Sequence, residues 1–519
     1  MTGGRGLAAV ALLVLVGGAI FGAVRPTPRP WLARRDPPPA GAPAAKAVDE
    51  LLAARWAESG ISPAREAEDL AVLRRLTLAL TGTVPSLEEI RRFEADAAPG
   101  RLERWTGALL EDPRSHRYLA ERLARAMAGS HLGVFLVYRR DLLVDWTAER
   151  LARRQPFDAT VREMVSSEGL WTGAPQVNFV TSAVVDGQVD ADQLAARTAR
   201  AFLGVRMDCA QCHDHPFADW KQTQFKGLAE FYGGLKPSPL GLERKAPGAG
   251  EGEVPFGTDW LPGKGRPRER LAAWLTDPRN PHFARATVNR VWGLMFGRPF
   301  AEPVDDVPPA GTPGTEVLDV LAQDFARHGH DLRRLVVTIA STGAFRLSSE
   351  VPENAPRGTL EKAWAVFPVT PLRPEQLIGG LLQAGSVRTI DRDSDLATRA
   401  IRVLREKSFV TEYGDPGPDE LSERPATVAQ ALLRMNHRLP GEVLDANPFT
   451  STGRISLIAG DASRALEAVW LALVTRRPTE KERERFLPWL ASARWEERGR
   501  VLGDLAWALF NSAEFSWNH

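Results

Sequence analysis

Helical periodicity is the sequence pattern that most constrains the fold of this chain. From Lys46 onward, apolar residues recur every three or four positions, as along one face of an α-helix, while strand-like alternation is short and scattered. Residues 190–205 are an example, with Asp190 and Gln193 as the N-terminal cap of an amphipathic run. The sequence therefore predicts a mainly α-helical protein with few short strands. Its 519 residues, of which 44% are hydrophobic, allow more than one domain with an ample core.

Two segments have the layout of helical hairpins. In the first, a helix predicted over residues 71–80 leads into a turn, after which Ser86 and Glu89 form a capping box for the next helix. Near the other end of the chain, Thr479 and Glu482 repeat this layout at the same spacing. We interpret both segments as recurrent hairpin chemistry rather than as an internal duplication.

The remaining helical signals are spread along the chain. Asp158, in a turn at residues 156–158, is predicted to be the N-cap of a helix over residues 159–165. Other helices are predicted over residues 138–151, 267–275, 284–296, 316–327, 332–339, 426–435, 463–475 and 500–510.

Composition divides the chain into five segments. Residues 1–24 are predicted to be a signal anchor or signal peptide, and residues 25–45 a linker rich in Pro and Ala. A first helical domain is predicted over residues 46–234, a linker rich in Gly and Pro over residues 235–266, and a second helical domain over residues 267–519.

Charge excludes one class of partner. The formal net charge is +1, basic and acidic residues alternate along helical stretches, and no long basic block is present after the N-terminus. We therefore do not expect this protein to bind nucleic acid.

The strongest chemical signal is Cys-Ala-Gln-Cys-His at residues 209–213, which contains both cysteines of the chain. This pattern is typical of covalent attachment of a c-type haem. Two thiols three residues apart can each add to one vinyl group of the porphyrin, while the adjacent imidazole is held beneath the iron. The pattern predicts thioether bonds at Cys209 and Cys212 and makes His213 the proximal iron ligand.

Other chemistries use the same residue types. A site for zinc or another transition metal would use both cysteines with His213 and His215, and Asp214 would be a further donor, although adjacent ligands would crowd such a site. A structural disulfide, or a pair of free thiols, is another interpretation. A thioredoxin-like dithiol is disfavoured, because the motif follows a helical run instead of starting a helix in a βαβ unit.

The second axial position of a haem iron has several candidates. His215 lies two residues beyond His213, and such a segment spans at most about 7 Å, so His215 cannot reach the opposite face of the porphyrin. It remains a candidate proton carrier, a non-haem ligand or a plain loop imidazole. Candidate sixth ligands are Met207, His282, Met295 and His437. The sequence does not choose among them, and five-coordinate iron is equally allowed.

Weaker signals follow the motif. Arg290 is predicted to hold a haem propionate through a bidentate bond, with an interdomain ion pair as the alternative. Asp305 and Asp306 could bind a hard cation or act as an acid-base pair. Adjacent residues of an extended loop point in opposite directions, however, which favours a turn at this position. Trp220 is either a neighbour of the porphyrin or a core residue.

The N-terminal segment predicts export. Residues 7–24 form an uninterrupted apolar run, long enough to cross a bilayer as a helix. Phe21 spoils the nearest cleavage pattern, so we predict a retained anchor in the inner membrane. The arginines after this run favour a cytoplasmic body by the positive-inside rule, whereas haem attachment of this type takes place on the export side. We expect a periplasmic body that is attached to the membrane.

Several stretches resemble planctomycete protein families. Residues 201–220, which include the motif, resemble the signature of the planctomycete cytochrome-associated (PSCyt-type) domain. The second half resembles the PSD-type domain of unknown function that usually follows it, through residues 280–292, 296–298, 303–306, 328–332 and 511–515. The resemblance covers the chain from about residue 48 to the end.

The resemblance implies an exported bacterial protein of a family without an established reaction, associated with a sulfatase-like partner and with polysaccharide breakdown. We predict a c-type-cytochrome-like protein whose single covalent haem serves electron transfer to a redox partner or a one-electron oxidation. One alternative is a zinc-like hydrolase or an accessory protein in polysaccharide or sulfate-ester degradation. Another is a helical scaffold with a structural Cys-x-x-Cys.

Overall fold

The computed structural model describes residues 42–131, 137–243, 252–351, 355–391, 396–417, 421–422 and 427–519. Within these residues the protein is mainly helical, with 61% helix and 4% strand, which confirms the predicted fold class in its coarse form. None of the described helices combines the length and the apolar composition needed to span a bilayer. The predicted anchor at residues 1–24 and the linker up to residue 41 lie outside the described residues.

The described residues up to 243 form ten α-helices. They are α1 (Ala42–Glu58), α2 (Asp69–Thr81), α3 (Leu87–Ala95), α4 (Arg101–Leu110), α5 (Pro113–Ala128), α6 (Arg140–Ala152), α7 (Phe157–Ser166), α8 (Asn178–Thr181), α9 (Ala191–Thr198) and α10 (Gln222–Glu230).

The described residues from 252 onward form fifteen more. They are α11 (Pro267–Leu275), α12 (Pro281–Phe296), α13 (Glu316–Arg327), α14 (Leu332–Ala340), α15 (Gly343–Arg346), α16 (Arg357–Lys362), α17 (Pro374–Ala384), α18 (Leu396–Tyr413), α19 (Val428–Asn436), α20 (Arg438–Leu444), α21 (Ser451–Ile458), α22 (Ala462–Val474), α23 (Glu480–Ser492), α24 (Trp495–Phe510) and α25 (Ala513–Ser516).

Strands are short and all their pairings among the described residues are antiparallel. A three-stranded sheet has the order β1 (Gly169–Leu170), β5 (Gly241–Leu242), β4 (Pro237–Ser238). The strands β2 (Val184–Val185) and β3 (Gln188–Val189) form a hairpin. The strand β6 (Thr370–Pro371) pairs with β7 (Trp517–Asn518), with Thr370 opposite Asn518. The pairing of β6 with β7 places the C-terminus beside the segment that precedes α17.

Both predicted capping boxes are confirmed. The hydroxyl of Ser86 accepts from the backbone N–H of Glu89, and the Glu89 carboxylate accepts from the backbone N–H of Ser86 at the start of α3. Thr479 and Glu482 make the same reciprocal pair at the start of α23. Each box satisfies two donors that a helix leaves free at its N-terminus.

Three local predictions are wrong. Asp158 lies inside the first turn of α7, whose N-cap is Pro156, because the backbone N–H of Phe157 is bonded to His330 and the helix starts earlier. The run predicted as one helix to residue 205 leaves α-helical geometry at Thr198, the end of α9. The last residues of the predicted linker are already helical, since α1 begins at Ala42.

One hydrophobic core extends through both halves of the described chain, and α2 lies within it. Two of its arginines are 1% exposed. Arg74 donates to the carbonyl oxygens of Leu473 and Phe515, and Arg75 to three carbonyl oxygens, of Phe345, Leu347 and His519. Carbonyl oxygens thus accept from both terminal nitrogens of Arg74 and from Nε and one terminal nitrogen of Arg75, which offsets part of the cost of burying these cations. Arg74 and Arg75 therefore connect α2 to the C-terminal residues of the chain.

A buried ion network joins α5 to α17. Arg122 and Arg125 on α5 both contact one carboxylate oxygen of Glu375, at 3.2 and 2.8 Å. Glu121 accepts from Arg125 at 3.2 Å and from Arg140 at 2.8 Å. The network therefore connects residues far apart in sequence through charges that are largely shielded from solvent.

We expect this network to make stability depend on acid pH through Glu121. Burial alone would raise the pKa of Glu121, but Arg140, Arg122 and Arg125 outweigh it and lower the pKa from 4.5 to about 2. A carboxyl group with a lowered folded-state pKa stabilises the fold above its unfolded pKa. This contribution is lost as the pH falls from about 4.5 towards 2.

Urea unfolding at several pH values tests this expectation. The free energy of unfolding of the wild type should fall more steeply between pH 4.5 and pH 2 than that of Glu121→Gln. Glu149→Gln, which removes a carboxylate from an exposed pair with Arg153, is the matched control and should follow the wild type. Parallel curves for all three proteins would contradict the assignment.

Candidate functional site

The motif lies in a short turn at the edge of the core. After α9, a π-helical segment, Ala199–Leu203, ends at Gly204 in the left-handed conformation, with a φ of 61°. A Cβ atom on Gly204 would lie 2.9 Å from Val307 and 3.1 Å from Ala286, so glycine lets this bend pack closely against the second half. A 3₁₀ turn, Asp208–Gln211, then carries the first cysteine.

The turn that carries the motif is buried at Met207 and Ala210 and exposed at both cysteines. Met207 and Ala210 are fully buried and hold the turn on the core. Cys209 and Cys212 are exposed, and their thiols are free rather than joined in a disulfide. Both sulfur atoms are therefore accessible to a reagent that approaches from solvent.

The two histidines of the site have opposite hydrogen bonding. Nδ1 of His213 lies 2.7 Å from the carbonyl oxygen of Asp214. Since a carbonyl oxygen only accepts, Nδ1 carries the proton and Nε2 of the neutral ring has a free lone pair. Metal-bound histidines typically have this arrangement, with one ring nitrogen donating to a carbonyl or carboxylate.

His215 has the other tautomer. Its Nδ1 accepts a hydrogen bond from the backbone N–H of Phe217 at 3.2 Å, so the proton of the neutral ring lies on Nε2. His213 is thus oriented as an Nε2 ligand, while the lone pair of His215 is used by its own loop.

The carboxylate of Asp214 also has partners within the loop. Its Oδ1 accepts from the backbone N–H of Gln222 at 2.9 Å, and its Oδ2 lies 3.2 Å from Nζ of Lys221. These two contacts, the backbone bond first, lower the pKa of Asp214 below its usual value. Across the described ranges, no group of three or more His, Cys, Asp and Glu side chains is placed to hold a metal ion.

Hydrogen bonds within the loop after the motif fix its conformation. Gln222 donates from its side-chain amide to the carbonyl oxygen of Cys212 at 2.8 Å, and the backbone N–H of His215 donates to Trp220 at 2.8 Å. Trp220 packs partly buried against the core. Phe217 at the loop tip is 94% exposed. The loop thus holds a phenylalanine in solvent four residues after His213.

Charged residues on both sides of the motif connect it to the second half. Arg200 lies 2.9 Å from Asp208 and 3.6 Å from Asp305. Arg206 binds the other oxygen of Asp305 at 2.7 Å. Asp305 is 7% exposed, so this carboxylate is the buried centre of the junction. Arg200, Arg206 and Asp208, beside the motif, are thus linked through Asp305 to the second half.

Asp305 and Asp306 diverge, as expected for a turn. Asp306 is exposed, and its backbone N–H donates to the carbonyl oxygen of Pro303. Arg290 is buried within α12 at 9% exposure. Its neighbour Asn289 fixes the loop before Asp305 by bonding to Ala301.

The candidate sixth ligands occupy different surroundings. Met207 and Met295 are buried in the core. His437 is the N-cap of α20 and accepts from the backbone N–H of Leu439 at 3.1 Å. The imidazole of His282 contacts the ring of Phe256 at a tilt of 39°, with ring centroids 4.7 Å apart, and burial lowers the pKa of this imidazole.

Four residues of the site are not predicted by any sequence pattern, namely Arg200, Arg206, Asp208 and Gln222. The charges beside the motif are visible in the sequence, but their shared partner Asp305 lies about a hundred residues away. The close packing of the Gly204 bend against Ala286 and Val307 accompanies this contact between distant parts of the chain.

The fold and the site define a class: a mainly helical chain of two regions, with an exposed Cys-x-x-Cys-His turn beside their junction. Residues 47–236 match PSCyt2, a protein family of unknown function (DUF1549), and residues 267–490 match PSD1, a second family of unknown function (DUF1553). The chain therefore carries a PSCyt-type region followed by a PSD-type region, which confirms the resemblance seen in the sequence. No curated protein and no solved structure matches the chain.

Proposed function

We propose that this protein carries a single c-type haem and uses it to transfer electrons, or to perform a one-electron oxidation, outside the cytoplasm. The observation that carries this proposal is the state of the motif side chains. Both thiols are exposed and unpaired with each other, and His213 presents the lone pair of Nε2. Covalent attachment of a haem needs two accessible thiols and one imidazole in the same turn.

Residues of this chain would hold the group as follows. Cys209 and Cys212 would supply the thioether bonds, and His213 would supply the axial nitrogen, with its other nitrogen fixed by Asp214. A bound haem supplies reversible one-electron chemistry at its iron.

The surroundings of His215 and Asp214 favour haem over the zinc-like alternative. A tetrahedral site would need His215 or Asp214 as a further ligand. The Nδ1 of His215 already accepts from Phe217, and both oxygens of Asp214 are engaged. A haem attached through Cys209 and Cys212, with His213 as its axial ligand, would leave the hydrogen bonds of His215 and Asp214 intact.

The proposal also includes export of the protein to the periplasmic side of the inner membrane. The apolar run at residues 7–24 would tether the body to the inner membrane, on the periplasmic side, where c-type haem is attached. The electron partner would be a second redox protein or a small oxidisable molecule in the same compartment. A sulfatase-like partner follows only from the family resemblance.

Cysteine variants test the attachment. We expect Cys209→Ala combined with Cys212→Ala to abolish the covalent haem when the protein is expressed for export in a host with haem-ligation machinery. Intact mass after denaturation and the pyridine haemochrome spectrum report attachment. His213→Ala should strongly reduce the yield of haem-bearing protein, since it removes the axial ligand.

His215→Ala is the matched control, because this imidazole lies in the same loop but has the other tautomer. It should retain the covalent haem. If the double cysteine variant and the wild type have the same mass and spectrum, the proposal is wrong.

A further inference from the structure

A group of polar side chains surrounds Gly129, the C-cap of α5, whose φ of 81° favours glycine. Nε of Arg140 donates to the carbonyl oxygen of Gly129 at 3.1 Å. The ring of His131 lies beside that of Tyr138, with centroids 5.7 Å apart. A Cβ atom on Gly129 would lie 3.1 Å from Nδ1 of His131 and 3.7 Å from Nη2 of Arg197. Glycine at this position therefore leaves both nitrogen atoms uncovered.

Arg197 on α9 is the cation of this group that has no carboxylate partner among the described residues. Its guanidinium is half-buried and makes one hydrogen bond to them, from Nη1 to Oγ of Ser182 at 2.6 Å. The carboxylate of Asp190, the N-cap of α9, instead accepts from the backbone N–H of Gln193. Burial lowers the pKa of Arg197, against the smaller opposing effects of Tyr138 and Asp190. The positive charge of Arg197 is therefore uncompensated by an ion pair.

The hydroxyl of Tyr138 is a second, independent indication of a ligand. Tyr138 is 2% exposed, and its hydroxyl has no hydrogen-bond partner in the part of the chain that the structure describes. Burial raises the pKa of Tyr138 to about 12, so the hydroxyl is a donor at neutral pH. Nη2 of Arg140 is also buried without a partner there, although Nη1 is paired with Glu121, which Arg125 shares. Since buried polar groups are almost always hydrogen-bonded, these two donors indicate an acceptor from outside the chain.

His131 adds one acceptor to these donors. Its Nε2 lies 2.9 Å from the carbonyl oxygen of Ser182. Because a carbonyl oxygen only accepts, Nε2 carries the proton of the neutral ring, and Nδ1 has a free lone pair. Nδ1 has no hydrogen-bond partner among the residues described. The group therefore combines two guanidiniums and a phenol, all donors, with one acceptor.

We propose that these residues bind a small free oxyanion that carries a proton, of the chemical type of hydrogenphosphate. Arg197, Arg140 and Tyr138 would donate to its unprotonated oxygen atoms, and hydrogen bonds from guanidiniums to an anion are strong. The hydroxyl group of the anion would donate to Nδ1 of His131. Sulfate has no proton at neutral pH and would set an oxygen lone pair against that of Nδ1. This site does not require a bound haem.

Calorimetric titration of the full chain with inorganic phosphate at neutral pH tests this proposal. The wild type should bind one phosphate per chain saturably. Sulfate, which lacks the proton, and phenyl phosphate, in which a larger molecule carries the group, should bind about tenfold more weakly or worse. Equal binding of sulfate would overturn the role of His131, and equal binding of phenyl phosphate would overturn the assignment of a free anion. No saturable phosphate binding would mean that water alone satisfies the buried donors, and would overturn the proposal.

Tyr138→Phe separates binding from folding. It removes a hydroxyl without a partner, so its Tm should be no lower than that of the wild type, while phosphate binds about tenfold more weakly. Tyr232→Phe is the matched control, because the buried hydroxyl of Tyr232 is bonded to Thr198 at 2.7 Å. This control should have a lower Tm and bind phosphate as the wild type does. Arg197→Gln, which removes the uncompensated cation, should abolish measurable binding. Unchanged phosphate binding by Tyr138→Phe or by Arg197→Gln would overturn the proposal.

Discussion

Arg122→Met is expected to lower the free energy of unfolding by about 3–5 kcal/mol, the usual effect of removing one partner from a buried ion pair. Arg122 is 1% exposed, and its guanidinium lies 3.2 Å from Glu375 and above the ring of Tyr118. Without it, the buried carboxylate of Glu375 has lost one of its two guanidinium partners. Urea unfolding followed by circular dichroism measures the change.

Two further variants make this prediction specific. Arg117→Met removes a guanidinium from the same helix, but its partner Asp145 is 55% exposed, so the loss should be about 0–1 kcal/mol. Arg122→Met combined with Glu375→Met should be more stable than Arg122→Met alone, because the buried charge is removed together with its partner. A loss equal to that of Arg117→Met would show that the network does not join the two halves.

Gly379→Ala is expected to destabilise the protein by about 3 kcal/mol, at the upper end of the effects of overpacking. A Cβ atom at Gly379 on α17 would lie 2.4 Å from the carbonyl oxygen of Gly82. Gly82 in turn has a φ of 69° and is the C-cap of α2. Because the obstacle is backbone and not a flexible side chain, the two helices would have to move apart.

Gly358→Ala is the matched control for this prediction. Gly358 lies in α16, and a Cβ atom there would meet nothing within 4 Å. Alanine has the higher helix propensity, so this variant should be more stable by up to about 1 kcal/mol. Thermal unfolding of both variants tests the pair. Similar Tm values for Gly379→Ala and the wild type would contradict the close approach of α17 and α2.

The elements that sequence alone predicted are those fixed by local chemistry. Ser86 and Thr479 were found because a capping box is a short-range pattern of donors and acceptors. The mainly helical fold followed from periodicity, which a chain shows before it folds. The motif was found for the same reason, since its chemistry depends on residues that are adjacent in sequence.

The contacts that sequence could not predict connect distant parts of the chain. In the sequence, Arg74 and Arg75 look like ordinary charged residues of an amphipathic helix. In the structure both are buried, and they donate to carbonyl oxygens roughly 270–440 residues away. The sequence predicted a turn at Asp305, yet this carboxylate is buried and is the partner of Arg206 beside the motif. No local pattern identifies such partners, because they depend on the tertiary packing.

The Asp158 prediction was wrong for a related reason. The sequence placed an acidic residue after Pro-Phe and made it the N-cap, a common local arrangement. The backbone N–H of Phe157 instead bonds to the carbonyl oxygen of His330, a residue of the second half, and α7 starts two residues earlier than predicted. A tertiary hydrogen bond thus replaced the local cap.

The mass of the exported, matured wild-type protein tests the central proposal most directly. After denaturation, the account predicts one chain heavier by the mass of one haem, with a reduced α-band in the pyridine haemochrome spectrum and with Cys209 and Cys212 both resistant to alkylation. A colourless protein of unmodified mass, in which both thiols still react, would contradict it.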